Sequence, residues 1–372
     1  MFLRNIQLVN FKNYPEANLL LSPEINCFTG KNGSGKTNFL DAVHYLANCK
    51  SFLPPADSQN IRNEASFFLI EGSFEKQGKV LDIFCGLKKG QKKSFRKNKK
   101  EYEKLSEHLG LIPLVLVSPS DQSILIGGGE ERRKFLDSFI AVMDPDYLRN
   151  LIFYINLLSQ KNSLLKKIRE NKNGDQEMLD VYDSQMEGPA TEIFLKRQRF
   201  CQLLMPEFIR NYQNLSSGKE EPQIAYKSAL LESTWAELMV AGRERDSWLG
   251  YSGTGIHRDD LEFMLDGKSL KKFGSQGQQK TALLALKLAQ FNILKENTGT
   301  TPLLLLDDLF AHLDEVRIRK MLEMVGNRTF GQVFITDANA ITMKNLFSGI
   351  DAEVKMFTVK NGEILDAEYV GQ

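Results

Sequence analysis

Eight consecutive residues, Gly30-Lys31-Asn32-Gly33-Ser34-Gly35-Lys36-Thr37, narrow the folds open to this chain more than any other stretch. They satisfy the pattern G-x-x-x-x-G-K-[ST] at every required position. A short β-prone run, Ile25 to Thr29, precedes them, and Phe39, Leu40, Val43 and Leu46 follow at helical spacing. Strand, glycine-rich loop and helix in that order describe a phosphate-binding loop. The glycines let the backbone curl so that its N–H groups face phosphate oxygens. The helix N-terminus adds a favourable dipole. Lys36 supplies a point charge to the β- and γ-phosphates, and the Thr37 hydroxyl is a ligand for Mg2+.

A second motif supplies carboxylates. In Thr301-Pro302-Leu303-Leu304-Leu305-Leu306-Asp307-Asp308, four apolar residues run into two acids, as on a central strand that delivers them at its C-terminal end. In phosphate-loop enzymes the first acid, here Asp307, holds Mg2+ through water. The second, Asp308, orients and deprotonates the attacking water. A third motif, Ser275-Gln276-Gly277-Gln278, opens an apolar helix that runs from Thr281 to Leu294. A serine and a glycine at a helix N-terminus form another anion site. One chain has no evident use for two such ends, whereas a dimer does if the second faces the partner's nucleotide.

The remaining texture divides the chain into three segments. Residues 1–120 read as an N-terminal lobe with the phosphate loop and an antiparallel sheet, including strand candidates Phe67–Phe74 and Val80–Leu87. Residues 121–249 show helical periodicity, interrupted at Asn171–Asp175, and read as an inserted helical subdomain. Residues 250–372 return to strand texture and carry the serine–glycine motif and the acidic strand. The fold class expected is α/β: an ABC-type ATPase head, with a mixed phosphate-loop sheet and an antiparallel β-subdomain, plus the helical insertion.

Composition excludes several alternatives. The chain has 372 residues, 42% hydrophobic and 26% charged, so wholesale disorder is excluded. Its longest apolar run, Leu111 to Val117, is far below the ~20 residues that span a bilayer. No export signal is evident, and the four cysteines form no Cys-x-x-Cys pair. A reducing cytoplasm and no membrane partner are therefore expected. Net charge is only +1, so nucleic-acid binding must come from local patches. The clearest patch runs from Lys88 to Lys100, with eight basic residues and no acid. Lys92, Lys93, Arg96 and Lys97 are its candidate DNA contacts. The same lysines also suit a solvated hairpin that keeps an edge strand from pairing. Arg132-Arg133 suits DNA, a partner subunit or an internal acid. His257-Arg258-Asp259-Asp260 reads as a hydrogen-bonded turn rather than a metal site.

Phosphate loop, helical insert, signature and acidic strand follow the layout of ABC-type ATPase heads. Ala311-His312-Leu313-Asp314 sits where such heads carry a dimer-contact loop, with Leu313 and Asp314 as its candidate residues. More specifically, the chain resembles the RecF recombination mediators, which belong with the SMC-type chromosome ATPases. Phe11-Lys12-Asn13-Tyr14 resembles the family's Phe-Arg-Asn-Tyr. Gly33 to Ala42, Val117 to Asp121, Glu131 to Asp137, Gly255 to Leu261, Ser275 to Gln278 and Asp307-Asp308 match further blocks. The resemblance covers essentially the whole chain.

Some positions depart from the pattern. Ile256 stands where the family usually has proline, and His312 is unusual in its loop. Thr336-Asp337 follows the last core strand where ABC heads often carry a γ-phosphate-sensing histidine, so Thr336 is the candidate sensor. Asp308 replaces the glutamate of transport-type heads and is one methylene shorter, which suits slow hydrolysis. About 240 residues separate phosphate loop and signature, too few for the long arms of SMC proteins. About 35 follow Asp337, too few for an appended nuclease domain. The resemblance implies a slow DNA-dependent ATPase that binds ATP and Mg2+ and forms an ATP-dependent homodimer on DNA at single-strand gaps and duplex junctions. It also implies RecR and RecO as partners in loading RecA, replication restart and the SOS response. The alternative is an ATP-driven DNA-sensing clamp or anti-phage ATPase head without a recombination-mediator role.

Overall fold

The computed structural model describes residues 1–53, 56–171, 176–216, 220–309, 315–326 and 329–370. Two compact units emerge, one of Met1–Asp121 with Lys287–Gln372 and one of Gln122–Leu286. The sequence reading cuts the chain at 120 and 249, whereas here the second unit runs on to Leu286 and takes in the serine–glycine motif.

In the first unit, Phe2–Phe11 (β1), Tyr14–Leu20 (β2), Phe67–Lys76 (β4), Lys79–Lys88 (β5), Ser94–Lys97 (β6) and Lys100–Glu101 (β7) form an antiparallel sheet in the order β2-β1-β4-β5-β6-β7. A second sheet has the order β15-β14-β3-β13-β12-β8. Its strands are Ile25–Thr29 (β3), Leu114–Val117 (β8), Leu303–Asp307 (β12), Val333–Asp337 (β13), Val354–Lys360 (β14) and Glu363–Val370 (β15). All its pairings are parallel except β14 with β15. β3, β12 and β13 are buried at every position, which is why none of them shows the apolar–polar alternation of a half-exposed strand. β8 follows the antiparallel strands in sequence but joins this parallel sheet beside β12.

Helix α1 (Lys36–Asn48) touches β4 and β5 of one sheet and β8, β12 and β13 of the other. That sandwich explains why Phe39, Leu40, Ala42, Val43, Tyr45, Leu46 and Ala47 are all buried on a single helix. Phe28 stacks on Phe39 at 4.1 Å and on Phe357 at 4.7 Å, so the strand before the loop and the helix after it share one core. Helices α9 (Glu315–Gly326) and α10 (Ala340–Phe347) complete this unit.

The second unit is mainly helical: α2 (Gln122–Ile126), α3 (Gly129–Met143), α4 (Pro145–Asn171), α5 (Gln176–Leu215), α6 (Trp235–Leu249) and α7 (Leu270–Phe273). Helix α8 (Gln276–Thr298) starts here and ends in the first unit. α4 and α5, of 27 and 40 residues, pack together, and the expected polar break falls between them, partly outside the described residues. The helical reading up to Leu249 is corrected by a strand, Pro222–Lys227 (β9). It pairs antiparallel with Asp260–Leu265 (β10), which also pairs with Lys268–Ser269 (β11). β9 begins on a buried proline, a position a strand tolerates because no ladder N–H is lost within it. Among the described residues no helix is long and apolar enough to cross a membrane.

Candidate functional site

Parallel strands deliver the loops at their C-terminal ends to one edge of the sheet, and the crevice there is where open α/β sheets bind ligands. β3 ends at Thr29 and runs into the phosphate loop. Gly30 has φ 152° and Gly35 φ 120°, both in the region that favours glycine. A Cβ at Gly30 would lie 2.2 Å from the Val359 carbonyl oxygen, and one at Gly35 would lie 2.6 Å from the Asn13 amide. At Gly30 the obstacle is backbone, and at Gly35 a side chain would have to displace the Asn13 amide in a backbone conformation that already favours glycine. Lys36 Nζ donates to the Gly30 and Lys31 carbonyls at 2.6 and 3.1 Å. That uses two of its three donors and leaves one for a phosphate. Burial lowers the Lys36 pKa, against the opposing pull of Asp308, Asp307 and Asp337.

Register fixes the acids. Asp307 of β12 lies opposite Thr336 of β13, and Thr336 lies opposite Phe28 of β3. The Thr37 and Thr336 hydroxyls both donate to Asp307 Oδ1, at 3.0 and 2.8 Å. Asp307 is 6% exposed, and burial raises its pKa although the two hydroxyl bonds oppose the shift. Asp308 sits at φ 48°, left-handed for a non-glycine residue, and its N–H donates to Thr336 Oγ1 at 2.9 Å. The turned backbone ends the strand geometry and sets Asp308 apart from Asp307. Asp337, also raised by burial, accepts the Asn339 N–H at 2.7 Å. Lys36, Thr37, Asp307, Asp308 and Thr336, with Asn32, Gly33, Gly35 and Asn38, line a cavity of about 270 Å³.

The donor set suits Mg2+. A hydroxyl and a carboxylate oxygen 3.0 Å apart are hard ligands for a cation that takes most of its remaining ligands from water and phosphate. The Ser34 hydroxyl, in the phosphate loop, is buried without a hydrogen-bond partner among the described residues. No cluster of three or more His, Cys, Asp or Glu residues among the described residues forms a protein-only metal cage. Burial pushes His108 and His257 down to about 4, so both rings are neutral at pH 7.

The loop is held from outside by residues that motif spacing alone does not nominate. Asn13 Nδ2 donates to the Ser34 carbonyl at 3.0 Å, and its Oδ1 accepts from Asn38 Nδ2 at 2.7 Å. Tyr14 donates its hydroxyl to the Gly35 carbonyl at 3.0 Å, and burial keeps that phenol protonated by raising its pKa. Lys12 pairs with Asp41 of α1. Phe11-Lys12-Asn13-Tyr14 is thus a brace for the loop and its helix. The signal was present as a motif, but nothing local showed what it touches.

The serine–glycine motif lies in the second unit. Ser275 and Gln278 form a reciprocal cap: the Gln278 N–H donates to Ser275 Oγ at 3.2 Å, and the Ser275 N–H donates to Gln278 Oε1 at 2.7 Å. Ser275 and Gln276 are exposed, and Gly277 and Gln278 are half-buried. Leu313 and Asp314, the dimer-contact candidates, lie outside the described residues.

The basic strip needs a correction at one position. Lys92 and Arg96 are exposed and Lys97 is half-buried. Lys93 instead turns inward, with 12% of its side chain exposed. Its Nζ donates to Asp57 Oδ2 at 2.8 Å and to the Cys49 carbonyl at 2.6 Å. An ammonium at the C-terminal end of α1 meets the negative end of the helix dipole, which is why this lysine of the eight is drawn in. Arg132 forms a two-pronged pair with Asp260 at 2.6 and 2.9 Å, resolving its role in favour of an internal acid. Asp259 pairs with the buried Arg197 and accepts from Tyr226, so the 257–260 segment is a structural turn.

Comparison with known proteins agrees with this architecture. The family model described as RecF/RecN/SMC N terminal domain matches residues 2–364. The DNA replication and repair protein RecF of Phocaeicola vulgatus is 44% identical over 374 residues, covering all of both chains. A solved structure of the recombination mediator protein RecF with ATP, from the RecFOR pathway, superposes with a TM-score of 0.88 at 28% identity, covering 99% of this chain and 97% of that one. The Smc head domain of Pyrococcus furiosus shares the fold, with a TM-score of 0.58 at 16% identity over 99% of this chain and 96% of that one.

Proposed function

The chain belongs to the RecF family of SMC-like ABC-type ATPase heads, and from that we propose that it is an ATP-dependent DNA-binding switch. The observation that carries this reading is the convergence of the Thr37 and Thr336 hydroxyls on one Asp307 carboxylate oxygen beside the phosphate loop. Lys36 and the loop amides hold the β- and γ-phosphates. Thr37 and Asp307 hold Mg2+, which supplies charge neutralisation across the phosphates. Asp308 accepts a proton from the attacking water as the bond between the γ-phosphorus and the ADP oxygen breaks, giving ADP and phosphate. Thr336 links the two acids and senses which state the γ-position is in.

Two heads close on two nucleotides, with Ser275 and Gly277 of one chain on the γ-phosphate held by Lys36 of the other. The exposure of Ser275 and Gln276 at the N-terminus of the 23-residue α8 supports this, because a helix N-terminus favours an anion. Closure grips DNA at gaps and junctions, slow hydrolysis releases it, and RecR and RecO act with it in the cytoplasm to load RecA during recombinational repair and the SOS response. The relatives named as RecF, with one solved in the RecFOR pathway, support these partners. The test is binding to gapped, single-stranded and duplex DNA with and without ATP. ATP should tighten retention on gapped DNA, and Lys36→Ala should abolish that gain. Equal retention with and without ATP would refute the switch.

A further inference from the structure

Trp248 and Tyr251 flank the C-terminal corner of α6 and are 77% and 44% exposed. This is unusual in a unit whose other tryptophan, Trp235, is 4% exposed and donates its indole N–H to the Asp183 carbonyl. Between them the helix ends at Gly250, in the left-handed conformation at φ 76°. Arg169 of α4 packs against that glycine and donates to the Leu249 carbonyl at 2.9 Å, which fixes the guanidinium beside the rings. Ile168, Arg169, Ser247, Trp248, Leu249 and Tyr251 line a cavity of about 840 Å³. A second cavity of about 470 Å³, which Gly250 lines, includes Ile155 and Lys166.

Among the described residues, the cations beside this groove lack the close carboxylates that hold the more buried cations of the same unit. Arg132, Lys161, Arg197 and Arg243 are each paired with a carboxylate within 3.0 Å. Lys166, Arg169 and Arg258 are exposed and have no carboxylate partner among the described residues, and Arg245 comes only within 3.9 Å of Asp246. Arg258 lies over the Tyr251 ring at 5.4 Å. One used donor on Arg169 leaves four for an anion.

We propose that this groove binds single-stranded DNA, with bases stacked on Trp248 and Tyr251 and phosphates on Lys166, Arg169, Arg245 and Arg258. Exposed aromatic faces interleaved with unpaired cations are what an unstacked strand requires. Duplex DNA keeps its bases stacked inside and offers these rings nothing. An apolar protein surface would fill the groove but leave the cations unmatched. The inference deepens the DNA-binding reading above and rests on it for the class of ligand, yet it needs neither nucleotide nor dimer.

The chain's two tryptophans make the test direct. In Trp235→Phe, fluorescence reports Trp248 alone. An oligothymidylate of about ten residues should quench it and shield it from acrylamide. An abasic oligonucleotide of equal length should quench it far less. In the unmodified background, anisotropy of a labelled oligothymidylate should show roughly 5- to 150-fold weaker binding for Trp248→Ala. Arg169→Gln should weaken binding and lower the salt slope by about 0.7. Duplex affinity and ATP binding should not change in either variant. Unquenched Trp248, equal quenching by the abasic strand, or parental single-strand affinity in Trp248→Ala would each overturn the proposal. A groove meant for a protein partner would give the first of these results. If Trp248 reports single strands while ATP leaves retention on gapped DNA unchanged, the switch reading fails and this one stands.

Discussion

Thr336 Oγ1 donates to Asp307 Oδ1 at 2.8 Å while accepting the N–H of Asp308 at 2.9 Å, so one hydroxyl ties together the two acids proposed as metal ligand and base. The link follows from strand register, since Asp307 and Thr336 are opposed across β12 and β13. Thr336→Val removes both bonds at constant shape, including the one the Asp308 N–H donates, at about 1–3 kcal/mol. Steady-state ATP turnover should fall by roughly 10- to 100-fold, whereas Thr336→Ser should keep most of it. Parental turnover in the valine variant would remove Thr336 from the site.

Asp307 trades stability for function. Burial holds its folded-state pKa above its unfolded one, so the folded chain keeps a proton that the unfolded chain has lost. The carboxyl therefore contributes stability below the unfolded value of 3.8, and that contribution declines as pH rises through the folded value. At pH 7 the charge is a cost. Asp307→Asn keeps an oxygen for Thr37 and Thr336 and should raise Tm by about 1–4 °C while weakening Mg2+-dependent ATP binding. A calorimetric scan showing a fall in Tm would contradict this account.

Ser275→Arg places bulk and charge where a partner's γ-phosphate should dock. The variant should bind ATP with parental affinity, because Lys36 is untouched, and should stay monomeric in light scattering. An ATP-induced dimer of parental stability would sink the trans arrangement.

Lys92 and Lys93, adjacent in sequence, should behave differently. Lys93→Met leaves Asp57 with the Tyr45 hydroxyl but no cation and takes the ammonium from the Cys49 carbonyl, and should cost about 1–3 kcal/mol in denaturant unfolding; the Asp57 side chain is 39% exposed, which tempers the loss. Lys92→Gln should leave stability within about 0.5 kcal/mol and, if Lys92 contacts duplex phosphate, lower the salt slope by about 0.9. Equal unfolding curves for the two variants would contradict the inward placement of Lys93.

The parts of the site legible in the sequence were those set by local geometry or by continuous burial. Gly30 and Gly35 announce themselves because only glycine adopts their backbone without collision, and Lys36 and Thr37 follow at fixed spacing. Leu303 to Leu306 announces a central strand because both of its faces are covered. What stayed hidden depends on contacts between distant segments. Nothing near Asn13 indicates that its amide holds the Ser34 carbonyl 21 residues on. Lys93 carries no mark that separates it from seven basic neighbours until α1 is packed beside it. β9 escaped because its six residues sit between long helices and pair only with β10, more than thirty residues later.

The most direct measurement is the lifetime of the ATP-dependent complex on gapped DNA for Asp308→Asn. The amide keeps the size of the side chain and most of its hydrogen bonding but cannot take a proton from water. ATP should still bind, turnover should fall by roughly 100-fold or more, and the complex should outlast the parental one in a competitor chase. Parental turnover and parental release in this variant would mean that Asp308 is not the base and that hydrolysis at this site does not open the switch.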